Sequence, residues 1–476
     1  MGIKELKPDD FLYNRQGPWP QPCPEHPFSE AAGVIHLPRD EAFDWWIHIG
    51  SRYLKTLFYT PIAFLRGILR PGLQKVNDEE FSQMLTRSLF SKFLKNDYKS
   101  KDLEVFGKFI HADNIWVCDF SPVKVFKPFK GLYVSATKVL FKKEGEEFIV
   151  VSIYLEATDS LFTPSDGDKW ELAKYFALQS GALCSTLVLH PLLHFPMDSI
   201  NAITKSALPK NHLLFQLIYP HLRFTLYLEK AVLTFKSSIL QSKWWIPYAP
   251  YPGPYESVRE LLSQGYRGID DNKNYPPFKY LFAPPFVAGK YGEFQQAYYG
   301  VIKKFVKNIL VDLDETEVFY LAKWGDYISP WVPGFPKGKE LVRDRELLIT
   351  TVAYFIYDVS VGHTVDHYNF GTMNFRKIPI RLRVPPPDHK KNFKLKRRRL
   401  NRFWDFGKTE MARRIFYMAS TKTRLIETIY DFGDRNEKLQ KHVLEFKKDL
   451  KAVDLKMQEI NSRFTPLEEI AESIQF

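Results

Sequence analysis

The stretch STLVLHPLLHFPMDS, residues 185–199, decides the fold, because it sets His190 and His194 four residues apart inside apolar sequence. A second stretch, VSVGHTVDHYNFG at 359–371, repeats that interval with His363 and His367. Residues four apart on a helix share one face about one turn apart, so each pair can offer two imidazoles to one ion. Four nitrogen donors from two packed helices would make a metal site in a helical core. A single histidine is more often a satisfied packing residue, but an uncompensated imidazole in apolar surroundings is costly. The pairing therefore favours ligation.

Two hydrolytic readings of the same residues fail. A zinc protease uses this interval in His-Glu-x-x-His, and here Pro191 stands where the glutamate must be. No G-x-S-x-G elbow occurs, and Cys184 has no charged neighbour in sequence to activate it. Pro191 itself removes one backbone bond and crowds the carbonyl four residues back, which predicts a kink that re-aims His190.

Outward from the first pair, an apolar helical run begins at about Asp168 and is apolar on nearly all sides, so it should be central. Residues 1–40 are rich in proline and read as an extended arm. Residues 43–72 are aromatic and basic, and Asp44, Arg52, Lys55 and Arg66 break them up, so no transmembrane run of eighteen apolar residues forms. An amphipathic helical pair divided at Pro61 is expected, either lying on a membrane or capping the core. Residues 76–110 read as helical, and an alternating strand pair joins at Glu144–Glu147. Residues 246–290, rich in Pro, Tyr and Gly, read as a long connection, followed by helices at about 293–311 and 339–365 and a helical C-terminal segment.

The 476 residues are 45% hydrophobic and include 39 Phe, 25 Tyr and 10 Trp, which suits a wide apolar interior or lipid contact. Length alone allows about two or three domains. A net charge of +12 makes anionic partners plausible, with much of the excess in HKKNFKLKRRRLNRF, 389–403. No nucleic-acid motif accompanies that run, so no nucleic-acid partner is expected. Cys23, Cys118 and Cys184 are too few and scattered for a disulfide framework, and the N-terminus shows no secretory h-region, so a cytoplasmic protein, peripheral to a membrane at most, is expected.

With these residues in place the chain resembles the lipoxygenase family over most of its catalytic domain. FTPSDGDKWELAK, 162–174, is similar to the family's F-x-P-S-D and W-x-L-A-K segment. Leu208-Pro209 with His212, and Pro220-His221 with Arg223 and Thr225, fall where the L-P-x-x-H-P and P-H-x-R-[YF]-T stretches should. His363 to His367 followed by Asn369-Phe370-Gly371 resembles H-x-x-x-[NH]-F-G, RLRVPPP resembles R-x-P-P-P, and EINSRFTPLEEIAESIQF resembles the family's tail. The chain departs from the pattern in four places. QSGALCST has Gly181 or Ala182 and Ser185 in place of an Asp and a His, Tyr368 is inserted before Asn369, and Glu229 replaces an Asn. His190 to His194 is one residue shorter than the usual interval, which suits an ordinary α-turn and looks like the fungal manganese-type branch.

The resemblance implies a mainly α, lipoxygenase-like helical catalytic domain with long central metal-bearing helices and a small β-strand subdomain. The expected layout is an arm at 1–40 and one domain at 41–476: a helical cap at 41–130, a strand pair at 131–160 and a metal-binding helical core at 161–476. It implies His190, His194 and His363 as ligands, His367 at the fourth position and the Phe476 carboxylate as a fifth, holding non-haem iron with manganese as the alternative. The pocket residue that influences oxygenation falls at Ala231 or Val232. The implied activity is a dioxygenase that takes hydrogen from a bis-allylic carbon of a polyunsaturated fatty acid and adds O2 to give a hydroperoxide, acting as a monomer. The alternatives are redirected chemistry on the same site, as a hydroperoxide isomerase or on a non-lipid metabolite, and a non-enzymatic membrane-surface protein.

Overall fold

The computed structural model describes residues 39–98, 104–111, 114–234, 236, 238–240, 250–270, 272–285, 287–417 and 422–475. All but the last two residues of the expected arm at 1–40 lie outside this set. Helix α1 spans Arg39–Leu69 and α2 spans Asp78–Thr86. Five strands follow: β1 Leu94–Lys95, β2 Ile115–Asp119, β3 Thr137–Glu144, β4 Glu147–Leu155 and β5 Ser160–Phe162. They pair antiparallel in sequence order as one sheet.

The helical core then comprises α3 Asp168–Cys184, α4 Phe195–Ala207, α5 Leu213–Ile218, α6 Thr225–Thr234, α7 Tyr255–Arg267 and α8 Lys290–Ile309. It continues through α9 Glu315–Ile328, α10 Gly338–Arg343, α11 Arg345–Tyr357, α12 His363–Thr372, α13 Phe403–Ala412 and α14 Asn436–Ile460. The stretches Asp168–Ala207 and Arg345–Thr372 are long and apolar enough to cross a membrane, yet they are mostly buried inside the protein. The first is the central run expected from about Asp168, and the second holds the helix expected at about 339–365.

The lysine of the W-x-L-A-K segment shows how the central helix is fixed. Lys174 is buried, and its Nζ donates to the Val76 carbonyl at 2.5 Å and to Asp78 Oδ1 at 2.6 Å, with Glu171 at 2.7 Å. Trp170 Nε1 donates to the same Asp78 oxygen at 2.8 Å. A buried ammonium survives only when paired and hydrogen-bonded, so these bonds clamp α3 to the start of α2. In RLRVPPP, Arg381 and Arg383 both bind the buried Asp405 of α13, at 2.9 and 2.5 Å. Burial pushes the Asp405 carboxyl up, but the two guanidiniums outweigh it and hold it below the usual carboxylate range.

Four expectations change in detail. The strand pair is present with its turn at Gly145, where φ is +61°, but three more strands extend it. Two of them, β1 and β5, are too short for alternation to show. Residues 76–110 are helical only in part, since α2 stops at Thr86 and β1 intervenes. The connection at 246–290 contains α7, whose buried Val258, Leu261 and Leu262 recur at helical spacing between flanking prolines and Gly268. The segment at 43–72 is one helix, not a pair. Pro61 lies on its exposed side, where the carbonyl left without a donor can be hydrated at little cost.

Candidate metal centre

Both histidine helices widen into a π turn immediately before their first histidine. Residues Ser185–Leu189 form one, closed by the His190 N–H on the Ser185 carbonyl, and Asp358–Gly362 form the other, closed by the His363 N–H on the Asp358 carbonyl. Pro191 gives a reason for the first, because its ring would crowd the carbonyl four residues back and a wider turn relieves this. His190–Leu193 then tighten into a 3₁₀ turn, and the His194 N–H bonds the Pro191 carbonyl at 3.2 Å. The first pair therefore does not sit on the ordinary α-turn its spacing suggests, because the proline has no N–H to continue one. His363 and His367 do, on regular α12.

Packing brings the two pairs together. His194 Nε2 lies 2.9 Å from His190 Nε2 and 3.1 Å from His363 Nε2. One ring nitrogen from each of His190, His194, His363 and His367 lies within 4.8 Å of all the others. Metal–nitrogen bonds of about 2.1 Å put neighbouring donors ~3.0 Å apart at right angles and ~3.4 Å apart at tetrahedral angles. The two spacings at His194 are short enough for neighbouring donors to one ion, and the four histidines could hold it.

The residues around the cluster prepare those donors. His190 Nδ1 faces Asp366 Oδ2 at 3.3 Å, and Asp366 Oδ1 takes Lys92 Nζ at 2.5 Å. Burial pushes the Asp366 carboxyl up, but the Lys92 charge and the His190 bond outweigh it, so it stays ionised. It accepts the Nδ1 proton and leaves the His190 Nε2 lone pair aimed at the cluster. Burial, opposed by that bond to Asp366, brings the His190 pKa down to about 4, so the ring is neutral near pH 7, as a ligand must be. Asp366 was not among the residues singled out from sequence. Its signal was a carboxylate inside an otherwise apolar, buried helix, which demands partners.

A cavity of about 100 Å³ opens on His190, His194 and His367. Phe370, Leu228, Leu262 and Ile415 wall it, Ala231 and Val232 both line it, and Ile49, Arg52 and Tyr53 of α1 roof it. A larger cleft of about 540 Å³ sits against Lys290, Asn369 and Arg463 and touches none of the four histidines. Asn369 turns away from the cluster and donates to the Val365 carbonyl at 2.7 Å. Cys118 and Cys184 are buried free thiols whose pKa burial drives far up, so neither serves as a nucleophile. Phe476 lies outside the described residues. The tail before it is buried from Ile470 to Gln475, and the Ala471 N–H bonds Thr364 Oγ1 beside His363 at 3.1 Å. His221, from the Pro220-His221 motif, holds that tail through the Glu472 carbonyl at 2.5 Å.

In solved structures the same arrangement of helices and sheet recurs. An anaerobic complex of a LOX deletion variant with arachidonate matches with a TM-score of 0.72 at 16% identity, covering 94% of this chain and 78% of the other. The chain has the lipoxygenase catalytic-domain fold. The manganese lipoxygenase of Gaeumannomyces graminis matches at 0.69 and 14% identity, covering 92% of this chain and 91% of that one. Coral 8R-lipoxygenase matches at 0.63 and 16%, covering 84% and 66%. No protein-family model and no curated protein matches the sequence. In this chain α3 with α4 and α11 with α12 are the two long buried stretches that carry the four histidines.

Helix α7 supports the first of them through a glycine. A Cβ on Gly265 would lie 2.3 Å from the Val188 carbonyl oxygen, in the π turn that aims His190. Backbone cannot yield as a side-chain tip can, and overpacking typically costs 1–3 kcal/mol. Gly265→Val is therefore expected to lose about 3 kcal/mol of stability and to lower bound metal, read by urea denaturation and metal analysis. Wild-type values in both would mean that α7 does not set the His190 turn.

Proposed function

We propose that the protein is a mononuclear non-haem metal dioxygenase that inserts O2 at a bis-allylic carbon of a polyunsaturated fatty acyl chain, with His190, His194 and His363 as ligands and His367 at the fourth position. The observation that carries this is the convergence of four imidazole nitrogens within 4.8 Å of one another, three of the rings opening on an apolar cavity. Imidazole donors suit iron among other metals, and the likeness to lipoxygenases, one of them a manganese enzyme, favours iron or manganese, either of which would supply the one-electron chemistry that a C–H bond needs. The chain's own part is positional. Apolar walls hold the diene against His190, His194 and His367 and exclude water, and Ala231 and Val232 limit where dioxygen meets the chain.

Purified protein is expected to carry about one iron or manganese per chain and, on linoleate, to consume oxygen while a conjugated-diene absorbance appears. Mass spectrometry that finds zinc, or no metal, after careful purification would defeat the proposal. Consumption of a fatty acid hydroperoxide without oxygen uptake would replace it with isomerase chemistry.

A further inference from the structure

Helix α1 has a face that the rest of the protein leaves bare. Ten large apolar side chains between Phe43 and Leu69 are exposed, among them Phe43 at 74%, Phe58 at 72% and Leu69 at 69%. Stepped at about 100° per residue, all ten fall in one arc of roughly 160°. The buried Trp45, Ile49, Arg52, Thr56, Tyr59 and Ala63 fall in the opposite arc. Among residues 43–70 the exposed charges are Lys55, Arg66 and Arg70, and the one acid, Asp44, is half-exposed and paired with Lys422 at 2.8 Å.

The patch continues onto exposed Phe403 and Trp404 of α13, the Trp404 ring lying 4.6 Å from Phe64. The basic run comes next: Gly72 abuts the Arg398 backbone, and Lys394, Arg398 and Arg399 are exposed. An apolar stripe of this length exceeds what a monomer ordinarily leaves in water. A rim whose cations outnumber its one acid, Asp44, which is already paired with Lys422, matches an anionic lipid surface, whereas a second copy would bring like charges face to face.

We infer that α1 lies on an anionic phospholipid bilayer and that the histidine cavity takes its acyl chain directly from it. The inner face of the same helix supplies Ile49, Arg52 and Tyr53 to the cavity roof. With α1 seated, the cavity of about 100 Å³ is smaller than the ~300 Å³ at which ligand pockets begin. The helix is seated by two small clusters apart from the main core, Trp45 and Ile49 against Tyr227 and Ala231, and Tyr59 and Ala63 against Met411 and Ile415. It also packs along α13, where Gly67 abuts the Phe403 backbone and Gly407 the Phe64 ring, so lifting it opens that interface and leaves the main core packed. The uptake half rests on the dioxygenase reading; the docking half does not.

The test is co-sedimentation of the metal-loaded full chain with vesicles of phosphatidylcholine alone or with about 30% phosphatidylserine. The wild type pellets with the anionic vesicles, less so at high salt. Leu57→Ser with Phe58→Ser, both on the outer arc, weakens binding at least about tenfold, and Lys55→Glu with Arg70→Glu weakens it on anionic vesicles. Metal content and circular dichroism stay unchanged in both variants. Wild type left in the supernatant, equal pelleting of the Ser variant, or a dimer without lipid that the Ser variant dissolves would each overturn docking. Because no substrate enters this assay, a failed dioxygenase reading leaves it intact. Uptake is tested by oxygen consumption: the Ser variant loses activity on vesicle-borne linoleate and keeps it on soluble linoleate, and equal loss on both overturns direct uptake.

Discussion

Replacing His194 with alanine is expected to strip the protein of metal and abolish oxygen uptake, the largest effect of any single substitution in this chain. His194 Nε2 is the hub of the cluster, within 2.9 Å of His190 Nε2 and 3.1 Å of His363 Nε2. Loss of a group that merely orients a ligand costs 10–100-fold in metal affinity, so loss of the hub should exceed about 100-fold. Chelator competition measures this, with metal content per chain as the check. The fold should survive, because the core helices on both sides of His194 stay buried without it. Retained stoichiometric metal in His194→Ala would mean that the cluster is not the site.

Asp366→Ala is expected to have the second largest effect, and it acts on stability as well as on metal. It removes the acceptor that fixes the His190 tautomer, for which the same principle gives a loss of about 10–100-fold in metal affinity. It also strands Lys92, whose side chain is 13% exposed, beside a vacated anion. Breaking a buried pair costs about 3–5 kcal/mol, and the lower end applies because Lys92 can move toward water. Asp366→Asn separates the two effects, since it keeps the shape while giving up the charge. Urea denaturation and chelator competition read them independently. If Asp366→Ala binds metal as the wild type does, the carboxylate is a structural partner of Lys92 and nothing more.

The substitutions that matter most thus differ in how visible they were. His194 stood out in a string of letters because i, i+4 spacing is a local regularity, legible wherever a helix is apolar. So did the central burial of the run from Asp168 and the turn between β3 and β4. Helix α7 was hidden by the prolines and tyrosines around it, although Val258, Leu261 and Leu262 kept the right period. The π turns had no signature beyond Pro191, since a widened turn needs no special residue and is chosen by what packs against it.

By itself, the sequence determined which residues are paired on a helix, which helices are central, and, through motifs in a fixed order, that the catalytic-domain fold is that of the lipoxygenases. Tertiary structure alone decided what each of those faces meets. His194 and His363 are 169 residues apart, and Lys92 and Asp366 are 274 apart. Only packing could set their distances, the convergence of the four nitrogens, or the roofing of their cavity by α1. The physical reason is that hydrophobic periodicity records which side of an element leaves water, but carries no address for the partner across the interface. That partner is selected by shape, charge and hydrogen bonding once the chain has collapsed.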